Sequence, residues 1–240
     1  MKVALVQYGV ARDTRSANIV HLMRSIDRAC EHDPAPDLVV LPAACENSPA
    51  SADAANVTRA MGDAFAGLLA MKAREWGVFV AGGYRTRDNA GALIRGVLID
   101  PDGDTMIATA RGDGTASMLA RIWTTPIGSV GLLLGEYLGK SATDAEAEPC
   151  GLLIVSGSGP NGMAKASDLR GAADQLRKLA IRLGCHVCGA FPLFRSRGDR
   201  PPTGGLSGVY APDGTPVVQA PAREAVVLAD LAVCAKAASG

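Results

Sequence analysis

The order of the apolar runs along the chain constrains its fold more than any single motif, because one series of elements occurs twice. The first pass reads as a strand at 38–41, a helix around 57–75, strands at 78–84 and 93–99, and the turn Pro101-Asp102-Gly103. The second reads as a strand at 152–155, a helix at 168–183, strands at 186–191 and 206–211, and the turn Pro212-Asp213-Gly214. From first strand to turn is 63 residues in one pass (38 to 101) and 60 in the other (152 to 212). A further apolar run precedes each series, at 3–6 and at 131–134. Short continuous apolar runs bounded by turn residues are the pattern of strands buried on both faces.

The helical segments carry one apolar stripe each. In 16–31 the stripe is Ile19, Leu22, Met23, Ile26, Ala29 and Cys30, at the spacing of one helix face, with Asp13 or Thr14 as N-cap. The second helix carries Met61, Phe65, Leu68 and Leu69. The third carries Leu169, Ala172, Ala173, Leu176, Leu179, Ala180 and Leu183, opening at Ser167 or Asp168 and closing at Gly184. The Pro-Asp-Gly turns suit hairpins, with Pro setting φ and Gly taking the positive-φ position. Two β-rich halves that must each bury a sheet face can do so against one another and leave the helices outside. The expected fold is therefore a four-layer α-β-β-α sandwich with a pseudo-twofold internal repeat: a single domain over 1–240, its half-repeats at about 1–110 and 128–232. A functional cleft in such sheets lies beyond the carboxyl ends of the strands, which selects the residues after Leu41 and after Leu134.

Composition removes several partners. The chain has 240 residues with 24 Lys+Arg against 24 Asp+Glu, so it lacks the positive field that attracts nucleic acid or anionic lipid. With 48% hydrophobic and 20% charged residues it is globular in composition and long enough to bury a core unaided. No apolar run approaches the roughly 20 residues of a membrane span. The run from Met1 stops at Gln7, short of a secretory signal, and the expected location is the cytoplasm. Neither nucleic acid nor membrane is an expected partner. The six cysteines (30, 45, 150, 185, 188 and 234) read as free thiols. Cys185 and Cys188 have metal-like spacing, but they fall where a strand is expected, and side chains three apart on a strand face opposite ways. His21, His32 and His186 read as core or surface residues. No cofactor and no metal are expected.

Several segments carry a resemblance. Val3-Ala4-Leu5-Val6-Gln7, Asp37-Leu38-Val39-Val40-Leu41-Pro42, Ile99-Asp100-Pro101-Asp102-Gly103, Trp123-Thr124-Thr125-Pro126-Ile127-Gly128-Ser129-Val130-Gly131-Leu132, and Gly205-Leu206-Ser207-Gly208 with Ala211-Pro212-Asp213-Gly214 resemble the nitrilase, or carbon–nitrogen hydrolase, superfamily over almost the whole chain and in the right order. The resemblance implies the same sandwich, a homodimer or larger homo-oligomer joined through outer helices, and hydrolysis of amide or nitrile C–N bonds. It also implies a Glu as general base, a Lys that steadies the oxyanion and a Cys nucleophile. At the matching positions this chain has Ala43, Arg111 and Gly135. Alanine takes no proton, glycine does not attack, and arginine keeps the charge of lysine with a different geometry. The residues after the nucleophile position are altered to Glu136-Tyr137-Leu138, and Leu179, Arg182 and Leu183 stand where the family usually has Arg, Glu and Asn. The interval from Arg111 to Ile127 is about ten residues shorter than the family's loops imply.

The expectation from this resemblance is a superfamily member without nucleophile and base, non-catalytic and acting in assembly or in binding a small amide-like ligand. The alternative is an amidase- or nitrilase-type hydrolase with a rebuilt site. Cys45 stands two residues beyond Ala43 and projects to the same side of an extended chain, with Glu46 and Glu136 in the same cleft and Arg111 to hold an oxyanion.

Overall fold

A computed structural model describes residues 1–10, 14–44, 46, 56–89, 91–111, 121–134, 150–157, 166–194 and 203–232; at 108–111, 166–172, 194, 203 and 204 it describes the backbone alone. In chain order the elements are β1 (Lys2–Gln7), β2 (Gly9–Val10), α1 (Arg15–Cys30), β3 (Leu38–Ala43), α2 (Arg59–Trp76), β4 (Phe79–Asp88), β5 (Gly91–Ile99), β6 (Thr105–Arg111), β7 (Arg121–Thr125), β8 (Gly128–Leu134), β9 (Leu152–Ser156), α3 (Ala166–Leu183), β10 (His186–Ala190), β11 (Leu193–Phe194), β12 (Thr203–Gly204), β13 (Gly208–Tyr210), β14 (Pro216–Gln219) and β15 (Ala225–Asp230).

The strands form two six-stranded sheets, in the orders β15-β1-β3-β4-β5-β6 and β7-β8-β9-β10-β13-β14, with a small third sheet of β2, β11 and β12. The two orders correspond strand for strand, and in both the second, third and fourth strands are parallel. The internal repeat is thus a repeat of sheet topology. The two sheets differ at one edge: β7 directly precedes β8, whereas β15, its counterpart beside β1, comes from much later in the chain.

Why the strands read as unbroken apolar runs follows from the layers. On β1, Val3 and Leu5 point between the sheets, while Ala4 and Val6 point to the helices; on β9, Leu152 and Ile154 point inward and Leu153 and Val155 outward. Every one of these side chains is at most 1% exposed. A strand covered on both faces has no polar face to alternate with. The inner layer joins Val3, Leu5, Leu38, Val40, Phe79 and Leu98 to Val130, Leu132, Leu152, Ile154, Cys188 and Val209. On one outside, α1 and α2 cover the first sheet through Leu22, Ile26, Phe65 and Leu69. On the other, α3 covers the second through Leu176, Leu179 and Ala180. The sequence is therefore an α-β-β-α sandwich.

Local chemistry sets the helix ends. Thr14 caps α1 by accepting the Ala17 N–H at 3.2 Å, and Thr58 caps α2 by accepting that of Met61 at 3.2 Å. Gly77 (φ 64°) and Gly184 (φ 59°) end α2 and α3 in the left-handed conformation. The third helix starts at Ala166, so Ser167 and Asp168 lie inside its first turn instead of capping it. Both Pro-Asp-Gly turns form, with Gly103 at φ 84° and Gly214 at φ 82°. The expected strand at 206–211 shortens to Gly208–Tyr210, because Gly205 (φ 81°) and Leu206 (φ 65°) are both left-handed and cannot continue a strand.

Cys185 and Cys188 part as their spacing requires: Cys185 lies in the cluster under α3, Cys188 between the sheets. The stripe on α3, one of the outer helices, is buried on its own sheet at Leu176, Leu179 and Ala180. Among the described residues no helix is long and apolar enough to cross a membrane.

Candidate functional site

The carboxyl ends of β3, β4, β8 and β9 meet at one end of the sandwich. Pro42 has no N–H to give to the ladder, and the pairing of β3 with β4 slips between Val40 and Ala43 before resuming at Ala43 opposite Gly83. Beyond that point the chain is held by the other sheet: the Ala43 N–H donates to Gly157 O at 2.8 Å, and the Ser156 hydroxyl donates to Leu41 O at 2.8 Å. Ala44 turns left-handed (φ 54°), an arrangement that costs a non-glycine residue about 1 kcal/mol, and its N–H is taken up by Gly83 O at 2.8 Å.

Ala43 occupies the place the resemblance gives to the general base, and among the described residues it packs in an apolar cluster. It is 1% exposed and packs with Ala44, Ile94 and Leu134, themselves 6%, 4% and 5% exposed. These residues prolong the inner layer. Along β4 the inward positions run Phe79, Ala81, Gly83; along β5, Leu98, Gly96, Ile94; along β8, Val130, Leu132, Leu134. The two glycines make room for leucines of the opposite sheet. A Cβ on Gly83 would fall 2.8 Å from Leu134 Cδ2 and 2.9 Å from Ala43 Cβ, and one on Gly96 would fall 2.9 Å from Leu132 Cδ2. The four side chains of this cluster are methyl, sec-butyl and isobutyl groups, none of which can move a proton or attack carbon.

Glu46 is fully buried and holds a backbone N–H. Its Oε1 accepts the backbone N–H of Arg85 at 2.7 Å. Arg85 lies two residues past Gly83 on β4, so its N–H points toward the side where β3 has already ended, and the carboxylate supplies the next rung of that ladder. Burial pushes the Glu46 carboxyl above the usual carboxylate range, opposed by the Arg85 N–H and by the charges of Arg15 and Arg85.

The backbone of Arg111 ends β6 opposite Leu93, at the same end of the sheet as Ile94 and Ala43. The Arg111 side chain, Cys45, Gly135 and Glu136 lie outside the described residues, as does most of the shortened interval after Arg111. The altered positions on α3 separate: Leu179 is buried under the helix, Leu183 is partly buried, and Arg182 is exposed.

One set of residues at this end went unremarked in the sequence. Gln7, 1% exposed, donates from Nε2 to Pro221 O at 2.5 Å and Arg223 O at 2.8 Å, while its Oε1 accepts the Ser207 N–H at 2.9 Å. The Ser207 hydroxyl in turn accepts the N–H of Phe191 at 2.9 Å. This network ties β1 to the second sheet at Ser207, directly after the left-handed Leu206. The available signal was a glutamine ending a four-residue apolar run.

A sequence profile described as carbon–nitrogen hydrolase matches residues 2–237. No curated protein is a significant sequence match. Solved structures with the same fold include a CN-hydrolase superfamily protein from Xanthomonas campestris with an arsenic adduct in its active site (TM-score 0.75, 17% identity, 95% of this chain and 89% of that one). Nit3 of Saccharomyces cerevisiae, of branch 10 of the nitrilase superfamily, superposes with a TM-score of 0.73 at 21% identity, over 95% of this chain and 89% of that one. An amidase from Nesterenkonia sp. does so with a TM-score of 0.72 at 17% identity, over 96% and 90%. With the matched profile running from the first strand past the last, and the sandwich shared end to end, this chain belongs to the carbon–nitrogen hydrolase family.

Proposed function

We propose that this protein is a non-catalytic member of its family, which has given up covalent C–N hydrolysis and keeps the sandwich for assembly. The observation that carries the reading is the cluster of Ala43, Ala44, Ile94 and Leu134: among the described residues the inner core continues to the strand ends, where a hydrolase needs a cavity with a few convergent polar groups. Loss of nucleophile and base together removes the covalent route, since neither neighbouring charge nor binding replaces the attacking atom. A hydrolase rebuilt on Cys45, Glu46 and Glu136 has less support, because the Glu46 carboxylate is buried and engaged by the Arg85 N–H. The assembly reading includes a homodimer or larger homo-oligomer, to be measured by sedimentation at working concentration.

The test is ammonia release from a panel of ω-amides and aliphatic nitriles, with an active amidase as positive control. The expected result is no turnover above buffer. Turnover abolished by Cys45→Ser would establish the rebuilt hydrolase, and turnover that survives Cys45→Ser would overturn both readings.

A further inference from the structure

At the opposite end of the sheets from Ala43, two cysteines distant in sequence meet. Cys150 stands two residues before β9 and Cys185 one residue before β10. Because these strands are parallel neighbours with Leu152 opposite His186, their starts deliver both side chains to one corner. The sulfurs lie 3.9 Å apart and share a hydrogen bond. Their surroundings differ. Cys185 is 3% exposed and belongs to the apolar cluster under α3, with Leu176 and Val187, whereas Cys150 is only partly buried at the edge of that cluster. Cys188 faces the inter-sheet core, and Cys30 lies under the helices of the other sheet, so neither competes for this corner.

We propose that Cys150 and Cys185 form a modification site, a dithiol that hydroperoxides convert to a reversible disulfide, with Cys150 reacting first and Cys185 closing the bond. Acidity and access favour that order. The hydrogen bond shared with Cys185 lowers the Cys150 thiol, helped by the Gly131 N–H and opposed by burial, while the same hydrogen bond and burial push Cys185 up. The Cys150 thiolate attacks the distal oxygen of the hydroperoxide, the O–O bond breaks, the departing alkoxide or hydroxide takes up the proton the thiol had released and leaves as alcohol or water, and Cys150 becomes a sulfenic acid. The Cys185 sulfur then attacks the Cys150 sulfur and gives up its proton. The S–O bond breaks, and hydroxide departs with that proton as water. Two thiols are oxidised by two electrons and one peroxide is reduced. The sulfurs must close from 3.9 Å to about 2.05 Å, within reach of side-chain rotation at two strand ends. The product ties the starts of β9 and β10 and encloses α3 in a covalent loop. An excess of small dithiol reverses it by exchange.

The test treats the folded full chain with hydrogen peroxide, blocks remaining thiols with N-ethylmaleimide, and maps tryptic peptides without reduction. The expected product joins peptide 141–165 to peptide 183–195, with fragmentation placing the bond on Cys185 and not Cys188, and dithiothreitol removing it. Roughly tenfold more of it should form in folded protein than in urea-unfolded protein, where no fold holds the thiols together. In Cys185→Ala, dimedone should trap Cys150 as its sulfenic acid; if that variant does not fold, the wild-type map alone decides. Peroxide treatment that takes Cys150 to sulfinic acid while Cys185 stays labelled by maleimide would overturn the proposal. So would a bond from Cys150 to any other cysteine, or equal yields with and without urea.

Discussion

Returning a carboxylate to position 43 measures whether the end of the sandwich is core or cleft. Ala43→Glu adds four heavy atoms beside Leu134, Ile94 and the Cα of Gly83, at a position 1% exposed. A single Cβ on Gly83 would already lie 2.9 Å from the Ala43 methyl, so the larger side chain forces a rearrangement costing about 1–3 kcal/mol. Among the described residues the cluster offers it no hydrogen-bonding side chain, and an unsatisfied buried acid adds about 1–3 kcal/mol. Both costs apply to the protonated form. At neutral pH the folded protein must also hold the proton, at about 1.4 kcal/mol for each unit by which the folded pKa rises. The sign is fixed: the folded state then binds more protons than the unfolded chain, so stability is lost as pH rises from the unfolded value of about 4.3 toward the raised folded value. The two costs sum to about 2–6 kcal/mol and the titration adds at least about 1 kcal/mol at pH 8 over pH 5, so the loss reaches about 3–7 kcal/mol at pH 8, against a total of roughly 5–15 kcal/mol for an ordinary domain. Urea unfolding of wild type, Ala43→Glu and Ala43→Gln at both pH values reads this directly. The glutamine variant carries the steric and hydrogen-bonding costs without the titration, so its penalty should be the same at both. A glutamate variant as stable as wild type, or one whose penalty matches the glutamine variant at pH 8, would mean that water or polar groups reach position 43, and the filled-end reasoning would fail.

Two further outcomes follow from contacts elsewhere. Glu46→Gln keeps an acceptor for the Arg85 N–H but does not titrate; since burial raises the native carboxyl, the variant should gain stability relative to wild type as pH rises from about 4.3, and a flat difference between pH 4.5 and 8 in urea unfolding would contradict that origin. Gly62→Ala puts a Cβ 2.6 Å from Thr86 Oγ1 and 2.7 Å from Thr86 Cβ, where α2 crosses β4; it should cost about 1–3 kcal/mol despite alanine's better helix propensity, and a thermal scan showing no loss would refute close packing there.

The architecture was legible where burial made the chain speak plainly. Runs such as Leu38–Leu41 and Leu152–Val155 are apolar at every position because each is covered on both faces, and the matching order of the two passes implied two matching sheets. Elements without that double cover stayed hidden: β14 (Pro216–Gln219) is an exposed edge, and β2, β11 and β12 are two residues each, too short for any period. At the candidate site, missing functional groups can be read from single letters, as Ala43 was. What replaces them cannot, since it depends on register. The slip at Pro42, the turn at Ala44 and the glycines at 83 and 96 together decide that Leu134 occupies the strand ends and that Glu46 turns to the Arg85 N–H. The nearness of Cys150 to Cys185 was illegible for a similar reason: 35 positions apart, they become neighbours only through the pairing of β9 with β10.

The late arrival of β15 has a bearing on how the chain is made. The strand that completes the outer edge of β1 begins at Ala225, roughly 220 residues after Gln7. At about 5–20 residues per second of synthesis, β1 waits roughly 10–45 s with one row of backbone donors and acceptors open. An open, apolar edge of that kind templates pairing with other nascent chains. The first sheet therefore cannot finish ahead of the second, even though its other five strands all come from the first 111 residues. The N-terminal amine donating to Leu231 O at 3.0 Å, with the Leu231 N–H returned to Met1 O at 2.8 Å, marks the seam that closes last. Synthesis on the ribosome is therefore a stage at which this fold is exposed to misassembly.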